Sequence, residues 1–238
     1  MTKVDTQLPH LAVIMDGNGR WGQNKKGSRP FGHRKGASAV RTLVHLACNI
    51  GIPYLTLYAF STENWKRKKY EITIIMALLR TFAQDEVDAM VANEIRVRFI
   101  GRRDRIPQQL LFAMEEMEQK TSECTGMVLQ VAIDYGGRDE IVRACNQLRL
   151  KNDDVTEEDI SLVLDTSLVP DPDLVIRTGG NKRLSNFLLW QTAYSEIHFT
   201  ETLFPDFGEV EFTSILQKYL DEENERRFGD VPEVKAAE

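Results

Sequence analysis

Residues 16–20 combine the side-chain types that a metal ion and a phosphate group require. Asp16 follows a short apolar run that is typical of a buried strand, and carboxylate oxygens are preferred ligands of Mg²⁺. Gly17 and Gly19 allow backbone N–H groups to approach a ligand closely, and Arg20 supplies a forked cation that matches phosphate oxygens. The segment therefore predicts a metal-assisted phosphate site, although Asp-Gly and Asn-Gly are also common in ordinary surface turns.

A second group of cations follows another predicted strand, residues 173–176. Arg177 stands at the end of this predicted strand, two glycines come next, and Arg183 and Ser185 follow. Forked cations and a hydroxyl beside flexible backbone are suited to binding an anion. The alternative is a pair of surface arginines, which the flanking glycines make the weaker explanation.

Polar residues also follow the predicted strand at 54–59, in the segment 61–67. Ligands of open α/β sheets bind outside the carboxyl ends of the strands, so this segment and Asp16 are expected at the same edge. A helix cap formed by Ser, Thr or Asn is an alternative that is compatible with binding. A histidine at a helix start most often forms a local hydrogen bond, but the basic segment around His33, which includes Arg29, strengthens the case that His33 contacts phosphate.

The alternation of short apolar strands with helical patterns predicts an α/β fold, in a single domain with a mostly parallel central sheet flanked by helices. The segment before residue 32 is predicted to be a loop. The helix predicted for 71–94 is apolar nearly all round in its first half, so it is expected to be buried or to line an apolar cavity. The polar ends, 1–8 and 230–238, are expected to be mobile. The other predicted strands are 95–100, 127–133 and 197–199, and the other predicted helices are 32–51, 104–122, 157–164 and 210–226, besides one that ends at Leu148.

The composition favours a cytoplasmic globular protein. The chain has 238 residues, 42% of them hydrophobic, which is enough for one sizeable core. A net charge of −6 gives no general case for nucleic acid binding. The three cysteines have no Cys-x-x-Cys spacing, which favours free thiols in a reducing compartment. The first residues lack the apolar core of a signal peptide, and no apolar run reaches the ~20 residues that span a bilayer. Any membrane contact would therefore be peripheral, at the inner face.

Three long segments resemble the cis-prenyltransferases, whose bacterial type is undecaprenyl diphosphate synthase. They are MDGNGRW at 15–21, TLYAFSTENW at 56–65 and LVIRTGGNKRLSNFLLWQ at 174–191. Shorter segments at 31–33 and 204–207 fall where the family has similar sequences, and the resemblance extends from about residue 10 to residue 228. Several long motifs in the same order make the resemblance specific.

The resemblance implies successive condensation of isopentenyl diphosphate onto an allylic diphosphate, with farnesyl diphosphate as the expected starter and with new double bonds in the cis configuration. The expected product is a long-chain polyprenyl diphosphate such as undecaprenyl diphosphate, the lipid carrier precursor for cell-wall glycan synthesis. Mg²⁺ is the implied cofactor, since a cation stabilises charge on a departing diphosphate. The resemblance also implies a homodimer in which Arg227 and Gly229 reach the partner's site. It further implies a hydrophobic substrate tunnel, for which the candidate lining residues are Ala59, Ile74, Leu78 and Val131.

Matched position by position, the resemblance also assigns roles to individual residues. Asp16 matches the essential acid and metal ligand, and Glu196 matches a second metal-linked carboxylate in apolar sequence surroundings, where a buried acid needs a partner. Asn64 stands where the family has its catalytic proton acceptor. A carboxamide is a poor base near neutral pH, so a diphosphate oxygen could accept the proton while Asn64 orients the substrate. The allylic diphosphate site comprises Gly17, Asn18, Gly19, Arg20, Trp21, Arg29 and His33; the second strand-end loop comprises Ser61, Thr62, Glu63, Trp65 and Arg67, followed by the acid Glu71; and the isopentenyl diphosphate site comprises Arg177, Arg183, Leu184 and Ser185.

Three alternatives stay open at the level of sequence. A short- or medium-chain cis-prenyl diphosphate synthase would differ only in the depth of the tunnel. A non-catalytic subunit of a hetero-oligomeric synthase would be expected to lose Asp16 or the arginine-rich site, and both are present. A phosphate-binding hydrolase would need a nucleophile and a base; Ser61 or His33 could serve, but no acid–base–nucleophile set is evident. Lys68 and Lys182 depart from the family pattern and could tune diphosphate affinity.

Overall fold

The computed structural model describes residues 8–149 and 154–228. Its strands form one sheet and comprise β1 (His10–Ile14), β2 (Tyr54–Ser61), β3 (Arg96–Ile100), β4 (Val128–Tyr135), β5 (Leu174–Arg177) and β6 (Glu196–Phe199). The order across the sheet is β3-β4-β2-β1-β5-β6, and each neighbouring pair is parallel. The predicted mostly parallel sheet is therefore confirmed, and the carboxyl ends of all these strands lie at one edge.

Helices flank this sheet, as predicted. They are α1 (Asn18–Lys26), α2 (Arg29–Ile50), α3 (Lys69–Asp85), α4 (Val87–Ala92), α5 (Gln108–Lys120), α6 (Gly137–Leu148), α7 (Glu157–Val163) and α8 (Glu209–Phe228), with short 3-10 helices at Thr62–Lys66 and Phe204–Asp206. Neighbouring strand residues face opposite sides, so Val13 belongs to the larger core and Ala12 to the smaller one. Across the two described ranges, no helix is long and apolar enough to cross a bilayer.

The segment before residue 32 contains a helix, α1, where the sequence predicted a loop. This helix has two buried glycines and a lysine-rich end, so it lacks the apolar stripe by which a helix is recognised. Close packing against α2 holds it instead, since a Cβ on Gly22 would lie 2.4 Å from the backbone nitrogen of Gly32. Packing of α1 against α2 therefore stabilises a helix that the local sequence pattern alone does not indicate.

The prediction of one helix at 71–94 is wrong, because this segment forms two helices, α3 and α4, that meet at Glu86. The Glu86 carboxylate accepts a hydrogen bond from Arg41 of α2 at 2.5 Å, which ties this junction to the neighbouring helix. The apolar first half of α3 is buried at Ile75 and Met76, as its composition predicted.

The two chain ends differ in how far the structure describes them. Leu8, which the sequence placed in a mobile end, is buried against the larger core. Residues 1–7, Gly229 and 230–238 lie outside the described residues, as does the side chain of Arg227.

His10, at the start of β1, gives the fold a dependence on pH. Its ring is buried, with Nδ1 at 2.7 Å from the Pro170 carbonyl oxygen and Nε2 at 2.8 Å from Thr56 Oγ1. Burial lowers the pKa of His10 from 6.5 to about 4, so the unfolded chain binds more protons than the folded chain between these values. This contribution to stability is complete above pH 6.5 and falls with pH; we expect a loss of about 3 kcal/mol at pH 4.

Urea unfolding between pH 8 and pH 4 measures this loss, with His10→Gln as the variant that cannot titrate. The wild-type free energy of unfolding should fall more steeply below pH 6.5 than that of the variant. Parallel pH profiles for the two proteins would show that His10 is not the group responsible.

Candidate active site

Asp16 lies two residues beyond β1, at the carboxyl edge of the sheet. Its Oδ2 accepts hydrogen bonds from Arg177 Nη2 at 3.0 Å and from Asn181 Nδ2 at 2.7 Å. Burial raises the pKa of the Asp16 carboxyl, but the hydrogen bonds from Asn181 and Arg177 outweigh burial and hold the pKa below its usual value. Asp16 is therefore ionised at neutral pH, and its less occupied oxygen is Oδ1, at 3.4 Å from Arg20 Nη2.

The turn after Asp16 is the N-terminus of α1. Gly17 precedes the helix at φ 115°, and a Cβ there would lie 2.9 Å from the Cα atom of Leu203. Arg20, in the first turn, donates a hydrogen bond to the Gly179 carbonyl oxygen at 2.6 Å. The first N–H groups of a helix lack intrahelical partners and carry the positive end of its dipole, so they attract anions. The backbone donors that the sequence predicted here thus belong to a helix end.

Arg177, the last residue of β5, connects this turn to the second predicted anion site. Its side chain is 5% exposed, and its Nη1 donates hydrogen bonds to Ser185 Oγ at 2.7 Å and to the carbonyl oxygen of Arg183. Ser185 has φ 52°, a left-handed conformation that is uncommon outside glycine. Because Arg177 Nη2 also contacts Asp16, the two predicted anion sites are adjacent.

Glu71, near the start of α3, accepts hydrogen bonds from three of the predicted substrate-binding side chains. It is 6% exposed, and its Oε1 accepts hydrogen bonds from Arg29 Nη2 at 3.2 Å, His33 Nε2 at 3.2 Å and Arg67 Nη1 at 3.0 Å. Burial raises the pKa of Glu71, but the hydrogen bonds from Arg29 and His33 outweigh burial and lower it. Burial lowers the pKa of His33, so a neutral ring with its proton on Nε2 donates to the carboxylate.

The polar loop after β2 is a short 3-10 helix, Thr62–Lys66, with Ser61 as its cap. The Ser61 backbone N–H donates to Asn64 Oδ1 at 3.3 Å, so the carboxamide oxygen is engaged by the backbone while the NH₂ group can donate. Glu63 Oε1 accepts a hydrogen bond from Asn186 Nδ2 at 2.8 Å. The predicted helix cap is therefore confirmed, and the capped segment also lies beside the site.

The carboxyl edge of the sheet encloses a polar cavity of about 660 Å³. Asn181 and Asn186 also line it, although the sequence did not single them out; their position beside predicted anion-binding residues was the available signal. The predicted residues that line the cavity are Asp16, Asn18, His33, Ser61, Glu63, Asn64, Arg67, Arg177, Arg183 and Ser185.

Other predicted site residues support this cavity without lining it. Trp21 stacks on Phe31 with ring centroids 5.8 Å apart, and Leu184 packs against the smaller core. Arg20 donates a hydrogen bond to the Gly179 carbonyl oxygen, and Arg29 donates to the Glu71 carboxylate, so each is tied to a segment beside the cavity. The remaining members of this group are Gly17, Gly19, Thr62 and Trp65.

An apolar cavity of about 100 Å³ adjoins the polar one, between the sheet, α2 and α3. Three of the four candidate tunnel residues line it, whereas Ile75 lines it in place of Ile74 because the neighbouring helix position faces inward. Ala59 lies at a shift in the pairing of β2 with β4, where Tyr58 pairs with Ala132 and Phe60 with Ile133. The two cavities share the lining residues Met15, Asn18, His33, Ala59 and Ile75.

Glu196 is the predicted site residue that the structure separates from Asp16. It begins β6 and pairs in register with Leu174, the first residue of β5, whereas Asp16 lies beyond the last residue of β1. Glu196 lines a different cavity, together with residues such as His198 and Lys218. Within one chain the two carboxylates do not form a shared metal site, because β6 runs parallel to β1 and begins at the opposite edge.

Asp16 is the residue that fits a divalent cation at this site. Among the residues that the structure describes, no group of three His, Cys, Asp or Glu side chains forms a complete metal site. Mg²⁺ is usually bound by one or two carboxylates together with phosphate oxygens of the substrate and water. An ionised Asp16 that lines the polar cavity meets this requirement when a diphosphate supplies the other oxygens.

Comparison with known sequences identifies the family. The Prenyltransf family model, described as "Putative undecaprenyl diphosphate synthase", matches residues 14–229. An isoprenyl transferase of Aquifex pyrophilus is 48% identical over 93% of this chain and 96% of its own length. An isoprenyl transferase of Agrobacterium fabrum is 46% identical over 99% of this chain and 98% of its own length.

Solved structures agree with this assignment. Lavandulyl diphosphate synthase from Lavandula x intermedia, in complex with dimethylallyl diphosphate, superposes with a TM-score of 0.87 at 32% identity, covering 91% of this chain and 96% of that one. A "probable undecaprenyl diphosphate synthase" from Campylobacter jejuni superposes with a TM-score of 0.77 at 38% identity, covering 90% and 96%. The chain belongs to the cis-prenyltransferase family, of the undecaprenyl diphosphate synthase type, and is an isoprenyl transferase.

Proposed function

We propose that the protein condenses isopentenyl diphosphate units onto farnesyl diphosphate and makes a long-chain polyprenyl diphosphate such as undecaprenyl diphosphate. The observation that carries this proposal is the meeting of two basic sites and an apolar cavity at one edge of the sheet. Two diphosphate groups and one hydrocarbon tail require these three features together. In a cell, this product would be the lipid carrier precursor for cell-wall glycan synthesis.

The allylic diphosphate is assigned to the N-terminus of α1 and the basic groups beside it. Arg20 stands in the first turn of that helix, and Arg29, His33 and Arg67 converge on Glu71 nearby. Positive side chains and a helix dipole together favour a group with several negative charges. The bound dimethylallyl diphosphate of the structurally similar lavandulyl diphosphate synthase, itself an allylic diphosphate, supports this substrate class.

The isopentenyl diphosphate is assigned to Arg177, Arg183 and Ser185. Arg177 is buried and preorganised by its contacts with Ser185 Oγ and with Asp16, so it needs little rearrangement to face a second diphosphate. Arg183 and Ser185 line the same polar cavity. Their adjacency to the α1 turn would bring the two substrates together for carbon–carbon bond formation.

Mg²⁺ is assigned to Asp16, and when bound it would offset the negative charge that develops on the departing diphosphate. Arg177 and Asn181 hold Oδ2 of this carboxylate, which orients Oδ1 for another ligand. Asn64 is assigned to orient the isopentenyl group. Because its oxygen already accepts from the Ser61 N–H, a diphosphate oxygen is the better proton acceptor.

The growing chain is assigned to the apolar cavity between α2 and α3. Ala59 lies at the junction of the polar and apolar cavities, so a larger side chain there should obstruct the tail. We expect Ala59→Leu to shift the products to shorter chains while the first condensation continues. Mass spectrometry of the products would measure this shift. Ala77→Leu is the matched control, since Ala77 is exposed on α3, and an unchanged product distribution for Ala59→Leu would contradict the assignment.

A short- or medium-chain synthase is the second candidate function. The apolar cavity that would hold the tail is small, at about 100 Å³, which favours a short tail. The similarity to lavandulyl diphosphate synthase also favours a shorter product. Product length distinguishes the two candidates directly.

The test is incubation of the purified full chain with farnesyl diphosphate, isopentenyl diphosphate and Mg²⁺, followed by mass spectrometry. A long polyprenyl diphosphate establishes the proposed function, and a short product establishes the second candidate. Absence of condensation by the folded protein would instead support a non-catalytic subunit that requires a partner. Sedimentation of the same sample tests the proposed homodimer, in which Arg227 and Gly229 would reach the partner's site.

A further inference from the structure

Asp134 is a fully buried carboxylate that the assignments above do not use. It is the penultimate residue of β4 and has φ 52°, in the left-handed region. Phe60 of β2 pairs with Ile133, and Ser61 pairs with Tyr135, so Asp134 is an extra residue in the pairing. Such a bulge turns a side chain out of its regular alternation, and bulges are frequent next to active sites.

The bulge directs the Asp134 carboxylate at three donors. Trp65 Nε1 donates to Oδ1 at 2.8 Å, and Arg105 donates to Oδ2 from Nε at 2.9 Å and to Oδ1 from Nη2 at 2.5 Å. The Arg105 guanidinium also lies 5.8 Å from the centroid of the Trp65 ring, in cation–π geometry. Phe60 contacts the same ring edge-on, with centroids 5.1 Å apart. The indole is therefore held by a carboxylate, a cation and an aromatic ring.

We propose that Asp134 is a positioning residue that acts through Trp65 to fix the 3-10 helix Thr62–Lys66 and, with it, Asn64 in the polar cavity. Trp65 directly follows Asn64, which lines that cavity, so movement of the indole displaces the carboxamide. The inference rests on the proposed function in one respect, since the role of Asn64 is assigned there. Asp134 itself does not line the cavity and is not a catalytic residue.

A carboxylate is needed at this position because donors occupy both of its oxygens. An asparagine would place its NH₂ group against Arg105 Nε in one orientation and against both Trp65 Nε1 and Arg105 Nη2 in the other, so a donor would face a donor in either case. We expect Asp134→Asn to lower kcat by about 10- to 100-fold, the effect of a small misplacement of reacting groups. KM for each diphosphate should change much less, since the basic residues that bind diphosphate do not contact Asp134.

Glu118→Gln is a matched control. Arg103, two residues before Arg105, donates to both oxygens of Glu118 at 2.8 and 2.9 Å, so this variant also weakens an arginine–carboxylate pair next to β3. Neither partner contacts Trp65 among the contacts of the described chain. The control should keep kcat within about twofold, as expected for a partly exposed pair outside the site.

Limited trypsin digestion supplies a readout that does not require activity. Residues 66–69 are Lys-Arg-Lys-Lys and directly follow Trp65, so cleavage there reports how firmly the loop is held. Cleavage should be faster in Asp134→Asn than in wild type and unchanged in Glu118→Gln. If Asp134→Asn does not fold, Trp65→Phe removes the hydrogen bond to Asp134 while keeping an aromatic ring at this position, and it should accelerate the same cleavage.

The outcomes separate this inference from the proposed function. The positioning role predicts that Asp134→Asn lowers kcat and accelerates cleavage of the loop. It also predicts that adding Trp65→Phe to Asp134→Asn lowers kcat little further. Wild-type kcat and wild-type cleavage in Asp134→Asn overturn it. A wild-type protein that shows no condensation overturns the proposed function alone, because cleavage still decides whether Asp134 holds the loop.

Discussion

Asp16→Asn is expected to lower kcat by about 10²- to 10³-fold, the typical cost of losing one group that stabilises charge in a transition state. The variant preserves the shape of the side chain and an oxygen that can accept from Arg177 or Asn181. It removes the negative charge that would hold Mg²⁺ against a diphosphate. We therefore expect a lower kcat and a higher Mg²⁺ concentration at the half-maximal rate. Steady-state kinetics over a Mg²⁺ series would measure both.

Asp104→Asn is the control for this substitution. Asp104 also pairs with an arginine, since Arg102 Nη2 lies 2.7 Å from its Oδ2, but its side chain is 59% exposed and lies outside the cavity. Its kinetics should match those of the wild type. Turnover of Asp16→Asn or Asp16→Ala at the wild-type rate would show that the metal assignment is wrong.

Glu71→Gln is expected to destabilise the substrate-free protein and to weaken allylic diphosphate binding. The buried carboxylate is the common acceptor for Arg29, His33 and Arg67, and a neutral amide leaves the guanidinium groups of Arg29 and Arg67 to repel each other. Because Arg29 and Arg67 are 42% and 35% exposed, solvent screens part of the effect. We expect a loss of about 1–2 kcal/mol in the free energy of unfolding, below the full cost of breaking a buried pair.

The same variant should raise KM for the allylic diphosphate about tenfold, equivalent to ~1.4 kcal/mol of binding. Glu86→Gln is the matched control, since Glu86 also joins the α3 region to α2, through Arg41, but does not line the polar cavity. It should lose stability without a change in KM. Equal changes in KM for the two variants would mean that Glu71 only stabilises the packing of α3 against α2.

The sequence predicted the α/β class and the polar ends of β1, β2 and β5, because short apolar strands and their polar continuations are local signals. It missed α1, whose glycines matter only once α2 packs against them. It also missed Asn181 and Asn186, whose contacts form across segments distant in sequence. Glu196 was assigned to the metal through the resemblance alone, whereas its position at the start of a parallel strand puts it at the edge opposite Asp16.

The contact between Asp16 and Arg177 joins residues 161 positions apart in the chain. β1 has β2 and β5 as neighbours, and β2 follows it closely in sequence, whereas β5 comes from the last third of the chain. Contacts of such separation are slow to form, because the entropy of closing a long loop must be overcome before they stabilise the chain. During synthesis, the half of the sheet around β1 and β2 would fold before β5 leaves the ribosome. The nascent chain would then carry the Asp16 carboxylate and the N-terminus of α1 without Arg177 until β5 has emerged.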